Sequence, residues 1–171
     1  MEANIYLIGY MGVGKTSVGK ELSKKMSLTY VDTDDVVVEI AGKDIPSIFN
    51  DDGEIAFREL EIEAVKRVCS KKGCVVSLGG GAVLNYINVL RMKKTGTVVL
   101  LKASPEEIVR RLEGDGSRPL LNGLTNDEKI AKIREMLSYR EPFYERAADD
   151  IINTDGKTVD EIASKIMAVV A

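Results

Sequence analysis

The residues whose types and spacing most clearly predict chemistry lie at 9–16, where the chain reads GYMGVGKT. This is the spacing of loops that hold nucleotide phosphates. Gly12 and Gly14 let backbone amides approach phosphate oxygens, and the N-terminus of a following helix adds partial positive charge. Lys15 is suited to bridging the β- and γ-phosphates, and the Thr16 hydroxyl to binding Mg²⁺. The predicted nucleotide-binding residues are Gly12, Val13, Gly14, Lys15, Thr16 and Ser17.

Two carboxylates follow the second predicted strand, in the triplet Asp32-Thr33-Asp34. Ligands of α/β sheets bind beyond the carboxyl ends of the strands, so both carboxylates should face the phosphate site. We expect one to hold the metal shell and the other to orient an acceptor hydroxyl. The alternative is a helix N-cap, and the two interpretations are compatible because a helical stretch follows Asp34.

Two further patterns lie later in the chain. A helix is predicted to begin near Gly53, and on it Glu54, Arg58 and Glu61 share one face at spacings of four and three. The ordinary interpretation of such a pattern is a surface ion-pair ladder, but we favour a functional role here because of the patterns that accompany it. Three glycines at 79–81 directly follow another buried strand, where they allow a ligand to approach the backbone closely.

The elements that must position these residues alternate along the chain. Short apolar runs predict strands at 5–8, 28–31, 74–78, 97–101 and 150–153. A helix is predicted at 15–26, where three apolar residues are spaced four apart. This alternation predicts one α/β domain over residues 1–171 with a mainly parallel sheet of about five strands. Capping boxes are predicted where a hydroxyl precedes a glutamate by three residues, at Ser104, Thr125 and Thr158.

Composition narrows the possible functions. The 24 basic and 27 acidic residues give a net charge of −3, so no overall basic field attracts nucleic acid or a membrane. The chain has no histidine and only two cysteines, Cys69 and Cys74, which excludes a thiolate–imidazole zinc site and histidine-dependent catalysis. We interpret both thiols as structural. The N-terminal sequence is typical of neither a signal peptide nor a membrane span, so a cytoplasmic location is expected.

Six segments in order resemble the shikimate kinases over about residues 5–153. They are the loop at 9–16, the Asp-Thr-Asp triplet, the pattern S-I-F-x3-G-E-x2-F-R-x2-E at 47–61, the triple glycine, Arg118-Pro-Leu-Leu, and Arg140-Glu-Pro-x-Tyr144 with Ala147 beyond. The resemblance implies a three-layer αβα fold with five parallel strands in the order 2-3-1-4-5. It also implies a substrate-binding region at about 33–61 and a mobile lid at about 112–124, where flexible polar residues flank Arg118.

The same resemblance implies transfer of the γ-phosphate of MgATP to the 3-hydroxyl of shikimate, by a monomer that serves aromatic amino acid biosynthesis through chorismate. Asp34 would bind the substrate hydroxyls and help the one at C3 lose its proton. Arg58 and Arg140 would clamp the carboxylate, which suits the fork of a guanidinium. Gly80, with Gly79 and Gly81, would donate backbone contacts to the ring hydroxyls.

At the phosphate end, the resemblance implies that Asp32 acts on Mg²⁺ through water and that Arg118 folds over the ATP phosphates. Lys15, Asp34 and Arg118 form the implied catalytic set. The segment at 154–157 is expected near adenine, without an assigned contact. Three alternatives stay open: a small kinase acting on gluconate or a nucleoside monophosphate, a silent nucleotide sensor, and a nucleic-acid ATPase, which the acidic balance disfavours.

Overall fold

The computed structural model describes residues 3–114 and 119–171. The predicted lid arginine, Arg118, lies outside these ranges. Within them the strands are β1 (Asn4–Ile8), β2 (Thr29–Asp32), β3 (Cys74–Ser77), β4 (Gly96–Lys102) and β5 (Asp150–Asn153). The α-helices are α1 (Lys15–Met26), α2 (Thr33–Ala41), α3 (Ile45–Asp51), α4 (Gly53–Cys69), α5 (Tyr86–Thr95), α6 (Pro105–Arg111), α7 (Asn126–Ala147) and α8 (Val159–Val170). Short 3-10 turns occupy Ala82–Leu84 and Pro119–Leu121. The five predicted strands are confirmed, each to within about two residues.

The strands form one parallel sheet in the order β2-β3-β1-β4-β5, as the resemblance implied. The central strand β1 is buried along its whole length, and Ile5 lies opposite Val75 on one side and Thr97 on the other. Near-continuous apolar runs are typical of parallel strands covered on both faces. Because all strands point the same way, their carboxyl ends meet at one edge of the sheet, where the loops after β1, β2 and β3 lie together.

Helices cover the sheet on both sides, which gives the predicted three layers. Helix α1 packs against α8 and β3, whereas α4 packs against α2, α3 and α5. The large core lies around the sheet. A second, smaller cluster of Val37, Ile48, Phe57 and Ala64 lies among α2, α3 and α4. This second cluster supports the segment that the sequence predicts to bind substrate.

Two of the three predicted capping boxes are confirmed, those of Thr125 with Glu128 and Thr158 with Glu161. At the start of α6 only half of the box forms. The Ser104 side chain accepts a hydrogen bond from the Glu107 amide, as predicted. The Glu107 carboxylate does not return to Ser104, because it binds arginines in the last turn of its own helix.

The two cysteine thiols are buried and carry no disulfide. The Tyr6 hydroxyl donates a hydrogen bond to the Cys69 sulfur at 3.3 Å. Among the described residues, no helix combines the length and the apolar character needed to cross a membrane.

Candidate active site

The phosphate loop (residues 9–16) connects β1 to α1 in a conformation that needs glycine. Gly9 has φ +143°, and a β-carbon there would lie 2.4 Å from the Leu101 carbonyl oxygen. Gly14, with φ +99°, occupies the N-cap of α1. The Lys15 ammonium group curls over the loop and donates to the carbonyl oxygens of Gly9 and Tyr10 at 2.6 and 3.0 Å. A cationic group and a helix N-terminus therefore face the same space, as an anion-binding loop requires.

An acceptor cleft of about 280 Å³ opens beside this loop. Its lining residues are Met11, Gly12, Gly14, Lys15, Thr16, Ser17, Asp32, Asp34, Ser77, Leu78, Gly79, Gly80 and Leu112. The fold thus brings together residues from the ends of β1, β2 and β3 that are far apart in sequence. Val13, Arg58, Gly81 and Arg140 are the described predicted site residues that do not line this cleft.

Asp32 shows that the two interpretations of the acidic triplet hold together. One of its carboxylate oxygens accepts a hydrogen bond from the Asp34 amide at 2.9 Å, which caps α2. The Tyr30 hydroxyl approaches the other oxygen at 3.4 Å. Burial raises the pKa of Asp32 above its ordinary value. Its carboxylate is therefore held in place at the rim of the cleft rather than free to rotate.

The oxygen atoms near Asp32 are suitable ligands for a Mg²⁺ ion that binds together with a nucleotide. The Tyr30 hydroxyl also interacts with the side chains of Thr16 and Ser77, so hydroxyl and carboxylate oxygens are grouped at this point. In the part of the chain that the structure describes, no three acidic, histidine or cysteine side chains cluster to hold a metal alone. Mg²⁺ characteristically binds through one or two protein oxygens, phosphates and water, which this donor set matches.

The first glycine of the glycine segment (residues 79–81) lies between two carboxylates. A β-carbon at Gly79 would be 2.9 Å from both Asp34 Oδ1 and Glu61 Oε2. The Gly79 amide donates to the Thr33 hydroxyl at 3.0 Å, which joins the end of β3 to the start of α2. Glycine therefore lets two carboxylates approach one backbone position closely, and a side chain here would force both of them to move.

The other two glycines are approached by arginines. A β-carbon at Gly81 would lie 2.6 Å from both terminal nitrogens of Arg58. At Gly80 it would lie 3.4 Å from Arg140 Nη1. The resemblance implied these two arginines as a pair, and the structure brings both guanidinium groups to adjacent residues of one short segment.

The predicted ion-pair ladder on α4 is asymmetric. Arg58 Nη1 donates to Glu61 Oε1 at 2.7 Å, and the Glu61 side chain is only 2% exposed. On the other side Glu54 is 70% exposed and 3.7 Å from Arg58 Nε. The surface interpretation is thus right for Glu54 and wrong for Glu61.

Burial raises the pKa of Glu61, an effect that the neighbouring Arg58 opposes and the Asp34 charge reinforces. Glu61 was not among the predicted site residues, although its spacing of three from Arg58 was visible. Its burial depends on the packing of α4 against the glycine segment, which is a contact across the fold and not a property of the helix.

Tyr144 on α7 is a second residue that the sequence did not assign to the site. Its hydroxyl donates to the Gly80 carbonyl at 2.6 Å, and its ring is buried. One helical turn earlier, the Arg140 guanidinium lies 5.8 Å from the centre of the Tyr10 ring. The helix continues through Pro142, so both side chains extend from one rigid element.

A second cleft of about 480 Å³ adjoins the outer side of the phosphate loop. Its lining includes Gly156 and Lys157, from the segment that was expected near adenine. Arg111 connects the two sides, since it donates to the Val13 carbonyl at 3.2 Å and to both oxygens of Thr154 at 3.0 Å. No sequence pattern singles out Arg111, because both of its partners are distant along the chain.

Comparison with known proteins now identifies the family. The family model for shikimate kinases matches residues 11–171. The chain belongs to the shikimate kinase family. It is 43% identical over 164 residues to the shikimate kinase of Caldanaerobacter subterraneus subsp. tengcongensis, covering 96% of this chain and 94% of the relative. It is 44% identical to that of Thermodesulfovibrio yellowstonii, covering 96% and 92%.

Solved shikimate kinase structures have the same fold. The structure from Acinetobacter baumannii, a complex with shikimate, superposes with a TM-score of 0.89 at 34% identity, covering 99% of this chain and 93% of that one. The structure from Bacteroides thetaiotaomicron gives a TM-score of 0.88 at 34% identity, covering 98% and 97%. The parallel sheet order and the flanking helices of this family member are therefore those of shikimate kinases.

Replacing Glu61 by glutamine removes a buried carboxyl group whose pKa lies above the ordinary 4.5. The folded protein binds this proton more tightly than the unfolded chain does, so the stabilising contribution of Glu61 is greatest below its unfolded pKa. It declines as the pH rises toward the folded pKa. We expect the unfolding free energy of the wild type, minus that of E61Q, to decrease as the pH rises above the ordinary glutamate pKa of 4.5, as measured by urea denaturation.

The matched control is E59Q, at an exposed position on the same helix, which should follow the wild-type profile. A wild-type-minus-E61Q difference that stayed constant or increased with pH would contradict the raised pKa.

Proposed function

We propose that this protein transfers the γ-phosphate of ATP to the 3-hydroxyl of shikimate and releases shikimate 3-phosphate and ADP. One observation carries the proposal: two arginines and a carboxylate converge on the glycine segment directly beside the phosphate loop. A phosphate donor in the cleft and a hydroxylated carboxylic acid that extends from it toward the two arginines would therefore lie side by side. Family membership and the shikimate complex of the A. baumannii relative support this acceptor.

At the acceptor end, the guanidinium groups of Arg58 and Arg140 bind the shikimate carboxylate. Two forks approaching adjacent glycines suit a planar carboxylate better than point charges would. Asp34 binds the ring hydroxyls, and backbone groups of Gly80 and its neighbours complete the contacts. Glu61 holds Arg58 through its buried ion pair and so orients the clamp.

At the phosphate end, the loop amides and Lys15 hold the ATP phosphates. The Lys15 ammonium group moves from the loop carbonyl oxygens to the β- and γ-phosphates when the nucleotide binds. The second cleft, lined by Gly156 and Lys157, receives the adenine ring of ATP. Arg118 contributes positive charge to the transferring phosphoryl group from the lid.

The ATP is bound as its magnesium complex. Thr16 would hold the ion through its hydroxyl, and Asp32, with both oxygens already in contact with the protein, would act on it through water. The ion supplies positive charge that neutralises the phosphate oxygens and aligns them.

The reaction is a direct in-line displacement. The C3 oxygen of shikimate forms a bond to the γ-phosphorus while the bond to the β–γ bridging oxygen breaks, and the hydroxyl proton passes to Asp34. A loose transition state needs little basicity, so the main contributions of the chain are positioning and charge neutralisation. Lys15 and Arg118 stabilise the charge that accumulates on the phosphoryl oxygens.

The proposed working unit is a monomer in the cytoplasm, with small molecules as its only partners. The unbonded buried thiols suit a reducing compartment that contains ATP. Light scattering of the purified protein tests the oligomeric state.

The experiment that tests the proposed function is a coupled ADP-release assay with MgATP, alone and with shikimate, gluconate or nucleoside monophosphates. We expect ADP release that depends on shikimate, saturates with it, and disappears when EDTA removes Mg²⁺. Turnover with gluconate or a nucleotide in place of shikimate would reassign the acceptor. ATP hydrolysis without any acceptor would favour an ATPase.

Replacing Asp34 by asparagine keeps the shape of the side chain but removes its charge and its capacity to accept the hydroxyl proton. We expect kcat to fall by about 10²- to 10⁴-fold, with the KM for MgATP nearly unchanged, in the same assay. The adjacent exposed Asp35 provides the control, and D35N should retain wild-type turnover. Wild-type kcat in D34N would remove Asp34 from the reaction.

Replacing Arg140 or Arg58 by lysine keeps the positive charge but removes the fork. Loss of one charge-assisted hydrogen bond should raise the KM for shikimate by about 10- to 100-fold and leave the KM for MgATP nearly constant. R134K, at an exposed position on α7 that pairs with Glu106, is the matched control. Unchanged KM values for shikimate in both variants would show that the carboxylate binds elsewhere.

A further inference from the structure

The glycine segment has no side chains of its own, so other elements must fix the direction of its backbone groups. Thr33, at the start of α2, accepts from the Gly79 amide at 3.0 Å. Asn88, on α5, donates to the Ala82 carbonyl at 3.0 Å. These two contacts hold the ends of the segment. They do not constrain the centre of the segment, where the glycine torsions allow the widest choice of conformations.

Of the three side chains Thr33, Asn88 and Tyr144, it is Tyr144 that contacts the centre of the segment. Its hydroxyl donates to the Gly80 carbonyl at 2.6 Å, from a side chain that is 3% exposed. Burial raises the pKa of Tyr144 above its ordinary value, so the hydroxyl keeps its proton and remains a donor at neutral pH. Arg140 lies one turn earlier on the same helix and reaches the same glycine.

Because the peptide unit is planar, the contact to the Gly80 carbonyl also determines the direction of the Gly81 N–H group. The carbonyl of Gly80 and the amide N–H of Gly81 belong to one planar trans peptide and point in opposite directions. The Gly79 carbonyl accepts from the Ala82 amide at 3.1 Å, which fixes the preceding peptide and with it the Gly80 N–H. When Tyr144 holds the Gly80 carbonyl against α7, the amide on the other edge of that peptide is turned away from the helix.

We propose that Tyr144 is a positioning residue for the acceptor, whose hydroxyl fixes the orientation of the Gly80–Gly81 peptide that contacts shikimate. Its position one turn from Arg140 couples two acceptor contacts, the carboxylate clamp and the glycine backbone, to one helix. Tyr144 acts through the backbone and does not itself touch the reacting atoms. This inference rests on the proposed function.

Replacing Tyr144 by phenylalanine removes the hydroxyl and keeps the buried ring. We expect the KM for shikimate to rise about five- to tenfold, the effect of losing one hydrogen bond, while the KM for MgATP stays within about twofold. The matched control is Y139F, which makes the same change on the same helix at a side chain that is 66% exposed. All assays are made well below the melting midpoint of each variant.

A second measurement does not depend on turnover. Ligands that bind only the folded state raise the melting midpoint, and at a fixed ligand concentration the shift is larger for tighter binding. We expect the shift produced by shikimate to be smaller in Y144F than in the wild type, and the shift produced by ATP to be equal in both. Y139F should match the wild type with both ligands.

The possible outcomes are distinguishable. An active wild type with equal shikimate KM values and equal midpoint shifts in Y144F would overturn the positioning role alone. Equal losses for shikimate and MgATP in Y144F would also overturn it, because they indicate general loosening of the fold. A wild type without shikimate-dependent turnover would overturn the proposed function and this inference with it.

Discussion

The site depends on the close approach of charged side chains to a backbone that has no β-carbons. At the end of β3, two carboxylates and two guanidinium groups approach three consecutive glycines. A β-carbon at Gly79 or Gly81 would force the facing charged groups to move, whereas Arg140 lies at ordinary contact distance from such an atom at Gly80. An acidic chain with a net charge of −3 cannot attract anions through its overall field, so it must concentrate positive charge locally. The glycine segment leaves enough space for the positive charges of Arg58 and Arg140 to lie side by side.

The parallel sheet supplies the geometry for this approach. β1 and β3 are neighbours, so the phosphate loop and the glycine segment leave the sheet at the same edge. β2, on the outer side of β3, brings Asp32 and Asp34 to the same edge. Strand order thus determines which loops meet. The phosphate loop and the residues around the glycine segment belong to different loops, and phosphoryl transfer requires the two to be adjacent.

Much of this arrangement could be predicted from the sequence, because its signals are local. The phosphate loop has a fixed spacing, the five strands are continuous apolar runs, and the N-caps of α6, α7 and α8 follow from residues three apart. The half-formed box at Ser104 marks the limit of local reasoning. The Glu107 carboxylate had a choice of partners, and the arginines one turn further along α6 bind it instead.

The residues that the sequence did not assign act across the fold. Tyr144 contacts Gly80 over a separation of 64 residues, and Arg111 contacts Val13 over 98. No periodicity or spacing encodes such pairs. Glu61 is the intermediate case, since its pairing with Arg58 was visible on the helix but its burial was not.

The burial of Glu61 explains why Arg58 is held so firmly. A buried carboxylate loses hydration, and only a partner of opposite charge with good hydrogen-bond geometry offsets that loss. Arg58, still 26% exposed, provides the partner while keeping part of its guanidinium group outside the pair. Truncating Arg58 would leave Glu61 buried without its ionic partner, so the pair favours the arginine rotamer that reaches Glu61. A guanidinium with five donors can satisfy Glu61 and still present other N–H groups to a ligand carboxylate, which a lysine in the same place could not do with comparable directionality.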